Sequence, residues 1–180
     1  MLSHVRLAAS ADALNQARID TQQADAVLAC DAVVAASDDA LQSVSHGRTR
    51  IVANRHVLPV AAQVTDPDAP LPVDALLEKL AAASGEGRLS VCDAHAIAGR
   101  ALGDTMATNI VMLGYAWQQG IVPLSRAAIE RALELNGVAV EANLRAFRIG
   151  RLAAHDTRAL EAVLGAAAGG AIGAKVDADE

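Results

Sequence analysis

The chain has 180 residues, a size that suits one domain, and 53% of them are hydrophobic although only three are aromatic. Its formal net charge of −6 argues against the clustered basic excess of a nucleic-acid-binding surface. No apolar run reaches the roughly 20 residues of a membrane span, and no basic-then-apolar signal segment opens the chain. We therefore expect a soluble, cytoplasmic protein that binds neither nucleic acid nor membrane.

Residues 3–8, with the sequence SHVRLA, predict a strand at the start of the chain. Val5 and Leu7 alternate there with His4 and Arg6, which is the period of a half-buried strand. Three further strands are predicted at 24–30, 48–54 and 88–94. The first of these three is apolar at nearly every position, which is typical of a strand covered on both faces.

Helical patterns lie between the predicted strands. Ser37 is a good N-cap for a short helix, and residues 73–83 carry apolar side chains on one helical face. Residues 57–64 are compatible with an edge strand whose pairing Pro59 limits, and the proline-rich residues 65–72 predict an exposed connector. Strands that alternate with helices indicate an α/β fold, with a three-layer, mostly parallel, Rossmann-like sheet.

The C-terminal half is predicted to be helical. Helices are expected at 105–119, 126–136, 138–154 and 157–168. The first is capped by Asp104 and stopped by Gly120, and the second has Ser125 as its N-cap. The tail from about residue 169 is rich in Gly and Ala and then acidic, so we expect it to be flexible.

Five residues of these predicted helices are candidates for an interface. Asn109 and Gly114 interrupt an otherwise apolar helix. Because a glycine inside a helix costs about 1 kcal/mol relative to alanine, we expect another helix or backbone to approach closely at this point. Arg145, Arg148 and Arg151 recur every three residues and form either a docking surface or a solvated basic face.

Polar residues follow each of the three later strands. Asp31, Asn54 and Asp93 stand at the predicted carboxyl ends, where α/β folds bind their ligands. Asp and Asn also favour helix caps and turns, which is their commoner use. A structural and a ligand-binding role therefore both remain open, with the structural one favoured.

Two cysteines and five scattered histidines limit the chemistry of the chain. An iron–sulfur cluster usually takes four thiolates, and the histidines lack metal-ligand spacing. The sequence also contains neither a P-loop nor a Gly-x-Ser-x-Gly elbow. We predict no catalytic residue and no metal site, and we expect Cys30 and Cys92 to be reduced, buried and unbonded on separate strands.

Several segments, in their order and spacing, resemble the gamma-type domain of the 2-oxoacid:ferredoxin oxidoreductases. They are SHVRLA, ADAVLACDAVVAAS, RTRIVAN, TNIVMLGYAWQQGIVPLS and AIERALELNGVAVEANLRAFRIGRLA. The closest resemblance is to the bacterial fused indolepyruvate ferredoxin oxidoreductase. It covers roughly residues 2–156, and residues 105–151 are its most specific part.

The resemblance implies a division of the chain. Residues 1–156 would be a truncated gamma-type domain without its glycine-rich N-terminal strand–turn–helix, and residues 157–180 a short helix and flexible tail. A sheet without its first strands exposes an edge or an apolar face, which favours association, including self-association into a homo-oligomer. Ser3, His4 and Arg6 adjoin the missing glycine-rich part, so the resemblance implies that they lie nearest the shared cofactor site.

The resemblance also implies a function. Enzymes of this family oxidatively decarboxylate a 2-oxoacid on thiamine diphosphate, pass electrons through iron–sulfur clusters to ferredoxin, and form an acyl-coenzyme A. Aryl pyruvates are the substrate class of the closest branch. Thiamine diphosphate, magnesium and the clusters would belong to partner domains or subunits, so that this chain alone binds none of them and is inactive.

Two alternatives stay open beside an oxidoreductase component. The chain could be a stand-alone α/β module that binds a nucleotide or a coenzyme at its strand ends. It could also be a fragment that retains no function.

Overall fold

The computed structural model describes residues 1–14, 16–57 and 73–176, and the chain forms two compact units, Met1–Cys92 and Asp93–Glu180. We call them the sheet unit and the helical unit. The predicted edge strand at 57–64 and the connector at 65–72 lie outside the described residues, except for Val57. No helix in the described part of the chain is long and apolar enough to cross a membrane.

The sheet unit is built on three parallel strands in the order β1-β2-β3. They are β1 (Ala26–Ala29), β2 (Arg50–Asn54) and β3 (Leu89–Cys92). In the ladder, Val27 pairs with Ile51 and Ile51 pairs with Leu89. All three strands, their parallel direction and the α/β, Rossmann-like class confirm the predictions from the sequence.

Three described helices of the sheet unit follow the strands. They are α1 (Ala32–Ala35), α2 (Asp38–Leu41) and α3 (Val73–Ser84), and a short 3-10 turn spans Ala11–Ala13. The Ser37 side chain caps α2 by accepting a hydrogen bond from the backbone N–H of Ala40, as predicted. The cap supplies an oxygen to an amide that has no partner within the helix.

One core cluster of the sheet unit packs on one face of the sheet, and Val52 of β2, which alternates with its members, is buried as well. Ala29, Ile51 and Ala53 occupy alternate positions that point to this face, and they pack in one cluster with Leu77 and Leu80 of α3. Alternation places every second side chain of a strand on the same face, so the apolar runs of β1 and β2 supply this core directly.

The predicted strand at residues 3–8 is wrong. The described residues 1–8 are irregular and pair with no strand. Val5 and Leu7, the apolar half of the alternation, are 72% and 53% exposed. Alternation makes a segment compatible with a strand, but a ladder also needs a neighbouring strand in reach, and none of the described strands pairs with this segment.

The helical unit contains α4 (Ala94–Leu102), α5 (Thr108–Gln118), α6 (Arg126–Asn136), α7 (Val140–His155) and α8 (Thr157–Val176). Ser125 caps α6 through the backbone N–H of Ala128, and Gly137 ends α6 in the left-handed conformation. Both ends agree with the sequence prediction. Helix α8 extends to Val176, beyond the twelve residues predicted for it, and the expected flexibility of the tail remains a prediction.

Candidate functional site

The N-terminal segment, which we define as residues 1–8, is attached to the sheet unit by two side chains. Nδ1 of His4 accepts a hydrogen bond from the backbone N–H of Ile19 at 3.0 Å. The guanidinium of Arg6 donates to Oε1 of Gln16 at 2.9 Å and to the backbone carbonyl of Arg18 at 3.2 Å. Ser3 is exposed and has no hydrogen-bond partner among the described residues. The structure thus places His4 and Arg6 together, as anchors of one segment.

A polar cleft of about 220 Å³ lies beside this attachment. It is lined by His4, Arg18, Ile19, Asp20, Thr21, Asp39, Gln42 and Ser43. Arg18 and Asp39 are 3.9 Å apart across it, and both side chains are mostly exposed. Nε2 of His4 is buried and has no hydrogen-bond partner within the described chain, so it does not present its proton to the open part of the cleft.

The polar residues at the strand ends have structural partners. Asp31 caps α1, accepting from the backbone N–H groups of Val33 and Val34 at 2.9 and 3.2 Å. Asn54 is buried, and its side-chain amide donates to the carbonyl oxygen of Cys30 at 3.4 Å. The favoured interpretation from the sequence, caps and turns at these positions, therefore accounts for both residues.

Asp93 has the same role at the start of the helical unit. Its carboxylate accepts a hydrogen bond from the backbone N–H of Ala96 at 2.9 Å and caps α4. An acidic N-cap is favourable because the N–H groups and the dipole of the helix present positive charge there. The position of an aspartate after a strand, taken alone, does not indicate a ligand site in this chain.

The two cysteines are not joined by a disulfide, and the prediction that both are buried on strands holds only for Cys92. Cys92 is buried at the end of β3, whereas Cys30 follows β1 directly and is only half-buried. Burial, and then the neighbouring charge of Asp31, raise the pKa of the Cys30 thiol. Because the thiolate is the nucleophile and the metal ligand, a raised pKa makes Cys30 unsuited to either role at neutral pH.

The helical unit centres on a close contact between α5 and α7. A Cβ atom added to Gly114 would lie 2.1 Å from the carbonyl oxygen of Phe147, and one added to Gly150 would lie 2.0 Å from that of Val111. The sequence predicted a close approach at Gly114, and the approaching backbone belongs to another helix of the same chain. This internal contact explains Gly114, so the residue no longer supports an argument for assembly.

Gly150 was missed by the sequence analysis. The signal that identified Gly114, a glycine in the interior of a predicted helix, was equally present at Gly150. A glycine inside a helix lowers helix stability, so its presence needs a compensating contact. Two predicted helices that each contain such a glycine can supply this contact to each other by packing closely.

The three arginines of α7 separate into two environments. The Arg151 guanidinium stacks on Trp117, 4.9 Å from the ring centroid, and its Nε donates to Oε1 of Gln118 at 3.3 Å. Arg145 and Arg148 are exposed, and neither side chain has an ion-pair partner in the described part of the chain. Asn109 is also exposed, near the start of α5. The structure does not gather these residues into one site.

The described residues do not provide the ligands of a metal ion or of an iron–sulfur cluster. They include no group of three or more His, Cys, Asp or Glu side chains that could hold a metal ion. The whole chain has two cysteines, fewer than the four thiolates that a cluster usually takes. We therefore derive no catalytic step from this chain.

The fold and these contacts define an α/β, Rossmann-like sheet unit that is followed by a bundle of helices. Residues 1–153 match the family model of the pyruvate ferredoxin/flavodoxin oxidoreductases, and the chain belongs to this family. It is thus part of a 2-oxoacid ferredoxin oxidoreductase, a class of multidomain or multisubunit enzymes. No curated protein and no solved structure gives a significant match to the chain.

Proposed function

We propose that the chain is the gamma-type, non-catalytic domain of an aryl-pyruvate ferredoxin oxidoreductase, with indolepyruvate as the representative substrate. The observation that carries this proposal is the family match over residues 1–153, which spans both the sheet unit and most of the helical unit. The resemblance of residues 105–151 to the indolepyruvate branch supports the choice of substrate class.

In this proposal the chain packs against partner domains and forms part of the wall of their active site, while the reaction takes place on those domains. Thiamine diphosphate with magnesium would supply the carbanion chemistry there, and iron–sulfur clusters would carry electrons to ferredoxin as the acyl group passes to coenzyme A. The cap roles of Asp31 and Asp93 and the raised pKa of Cys30 support a chain without a reacting group of its own.

The N-terminal segment is our candidate for a contact with those partner domains. Its side chains at Val5 and Leu7 are apolar and strongly exposed, while the intervening His4 and Arg6 hold the segment in place. An apolar surface of this kind marks a contact region when it is held in an ordered position. We place Ser3, His4 and Arg6 beside this contact, which would wall the shared active site.

Reconstitution tests this function. The pure chain, given thiamine diphosphate, magnesium, indolepyruvate and coenzyme A, should not reduce a viologen dye, because no redox centre is present to pass the electrons. The same chain co-expressed with the thiamine- and cluster-bearing subunits of its enzyme should co-migrate with them in size-exclusion chromatography. Dye reduction by the pure chain would refute the non-catalytic role.

A double substitution tests the contact surface separately. Val5→Glu with Leu7→Glu should abolish co-migration and leave the free energy of unfolding of the isolated chain within about 0.5 kcal/mol, because both side chains are exposed. Val138→Glu is the matched control, since Val138 is 65% exposed but lies in the helical unit. A double variant that still co-migrates would move the contact away from the N-terminal segment.

A further inference from the structure

We propose that the imidazole of His4 is a pH-sensitive latch, which holds the N-terminal segment against residues 16–19 while it is neutral and releases the segment when it is protonated. This inference does not depend on the proposed function. It concerns how the segment is attached, and the contacts of His4 alone carry it.

The attachment depends on very few interactions. Within the described residues, the backbone of residues 1–8 makes no hydrogen bond to other backbone groups. The side chains of His4 and Arg6 supply the hydrogen bonds that hold the segment. Val5 and Leu7, the apolar residues that follow each of them, are largely exposed and add little contact. The loss of one anchor therefore removes a large share of what holds the segment.

The geometry at His4 is compatible only with the neutral ring. Nδ1 accepts the Ile19 N–H at 3.0 Å, so it must carry a lone pair, and the single proton of the neutral imidazole then lies on Nε2. A protonated ring has a proton on both nitrogens. Its Nδ1–H would point at the Ile19 N–H, and two donors cannot form a hydrogen bond with each other.

The other ring nitrogen adds to the effect. Nε2 is buried and has no partner in the described chain, which already leaves one donor unsatisfied in the neutral state. Protonation would place a positive charge on a ring whose Nε2–H is shielded from water and has no acceptor. Burying a charge without a partner is costly, so release of the ring into water is the favourable response.

The charged groups around the cleft do not reverse this conclusion. Asp20 and Asp39 line the cleft and favour an imidazolium, whereas Arg18 lines it as well and opposes one. The Arg18 and Asp39 side chains are 74% and 68% exposed, so water and salt weaken their influence on His4. Arg6 keeps its charge at all pH values concerned, so its own hydrogen bonds do not titrate.

Amide hydrogen exchange at Ile19 tests the latch. The protection of this amide, expressed relative to its intrinsic exchange rate at each pH, should fall about tenfold between pH 8 and pH 5.5, because a second ring proton removes the acceptor of the Ile19 N–H. Protection that stays constant across this range would overturn the proposal.

Two variants separate the latch from the remaining titratable groups. His4→Asn keeps an acceptor oxygen in about the position of Nδ1 but does not titrate, so its protection at Ile19 should be independent of pH. Arg6→Gln should lower the protection at both pH values and keep the pH dependence of the unmodified chain. A His4→Asn variant that shows the full pH-dependent fall would assign the effect to another group and contradict the proposal.

Discussion

The sheet unit and the helical unit achieve close packing in opposite ways. In the sheet unit, apolar side chains fill the space between the strands and α3, with Ile51 and Leu80 almost fully buried. In the helical unit, α5 and α7 approach most closely where side chains are missing, at Gly114 and Gly150. The first kind of contact is weakened when atoms are removed, and the second when atoms are added.

The largest effect is expected from adding one methyl group at the helix contact. Gly150→Ala or Gly114→Ala would bring a Cβ atom about 2 Å from a backbone carbonyl oxygen, which cannot move without displacing the partner helix. We expect the free energy of unfolding, measured by urea denaturation, to fall by about 3 kcal/mol or more, the upper end of overpacking costs. A loss of assembly without a loss of stability would contradict this internal role.

Gly165→Ala is the control for the glycine substitutions. Gly165 lies in α8, and a Cβ atom added there meets no other atom within 4 Å. Alanine should therefore raise stability by up to about 1 kcal/mol through its higher helix propensity. If all three glycine variants lost stability equally, steric contact would not distinguish Gly114 and Gly150.

A somewhat smaller effect is expected from removing atoms in the sheet unit. Leu80→Ala would leave a cavity between α3 and the sheet, and we expect a loss of about 2–3 kcal/mol in the same denaturation experiment. Leu135→Ala is the control, because Leu135 is largely exposed and should change stability by less than about 0.5 kcal/mol. Equal losses in both variants would contradict the assignment of the core.

The cap at Asp31 should contribute less than either core contact. Asp31→Ala is expected to cost about 1 kcal/mol, whereas Asp31→Asn should keep most of the stability because asparagine also caps helices well. In the reconstituted enzyme, both variants should retain activity if the carboxylate only caps α1. An Asp31→Asn variant that is stable but inactive would show that the charge of Asp31 has a further role.

The arginines of α7 should show the smallest effects. Arg145→Ala and Arg148→Ala are expected to leave the free energy of unfolding within about 0.5 kcal/mol, since both side chains are exposed and unpaired in the described part of the chain. Arg151→Ala should cost about 1 kcal/mol through the lost stacking on Trp117. Identical results for all three would argue that they share one environment after all.

The contrast between the units also explains which predictions from the sequence succeeded. The apolar runs 24–30 and 48–54 both form strands close to the predicted bounds, and β2 is buried as its run predicts. The prediction that the first run is covered on both faces is wrong, because Leu28 in β1 is 38% exposed.

Cap residues such as Ser37 and Ser125 act within three residues of themselves, so their roles could be predicted as well. The predicted cap at Asp104 is an exception: its carboxylate accepts from the backbone N–H of Met106, and α5 begins only at Thr108 without a side-chain cap.

Contacts between distant residues could not be predicted in this way. The alternation of residues 3–8 is the pattern of a strand, but whether a strand forms depends on a neighbour that only the fold supplies, and His4 and Arg6 bind residues 16–19 instead. The interior glycine at position 114 indicated a close approach, but its partner, the backbone around Gly150, is 36 positions away.

The sequence by itself determined the α/β class, the three strands of the described sheet, the caps at Ser37 and Ser125, and the presence of a tight contact at Gly114. Their physical basis is local: side-chain periodicity, cap hydrogen bonds and the conformational cost of glycine. Only the tertiary structure decided that the helix contact at Gly114 is internal and that His4 anchors an unpaired segment. These outcomes depend on which distant groups meet, and that is fixed by packing of the whole unit.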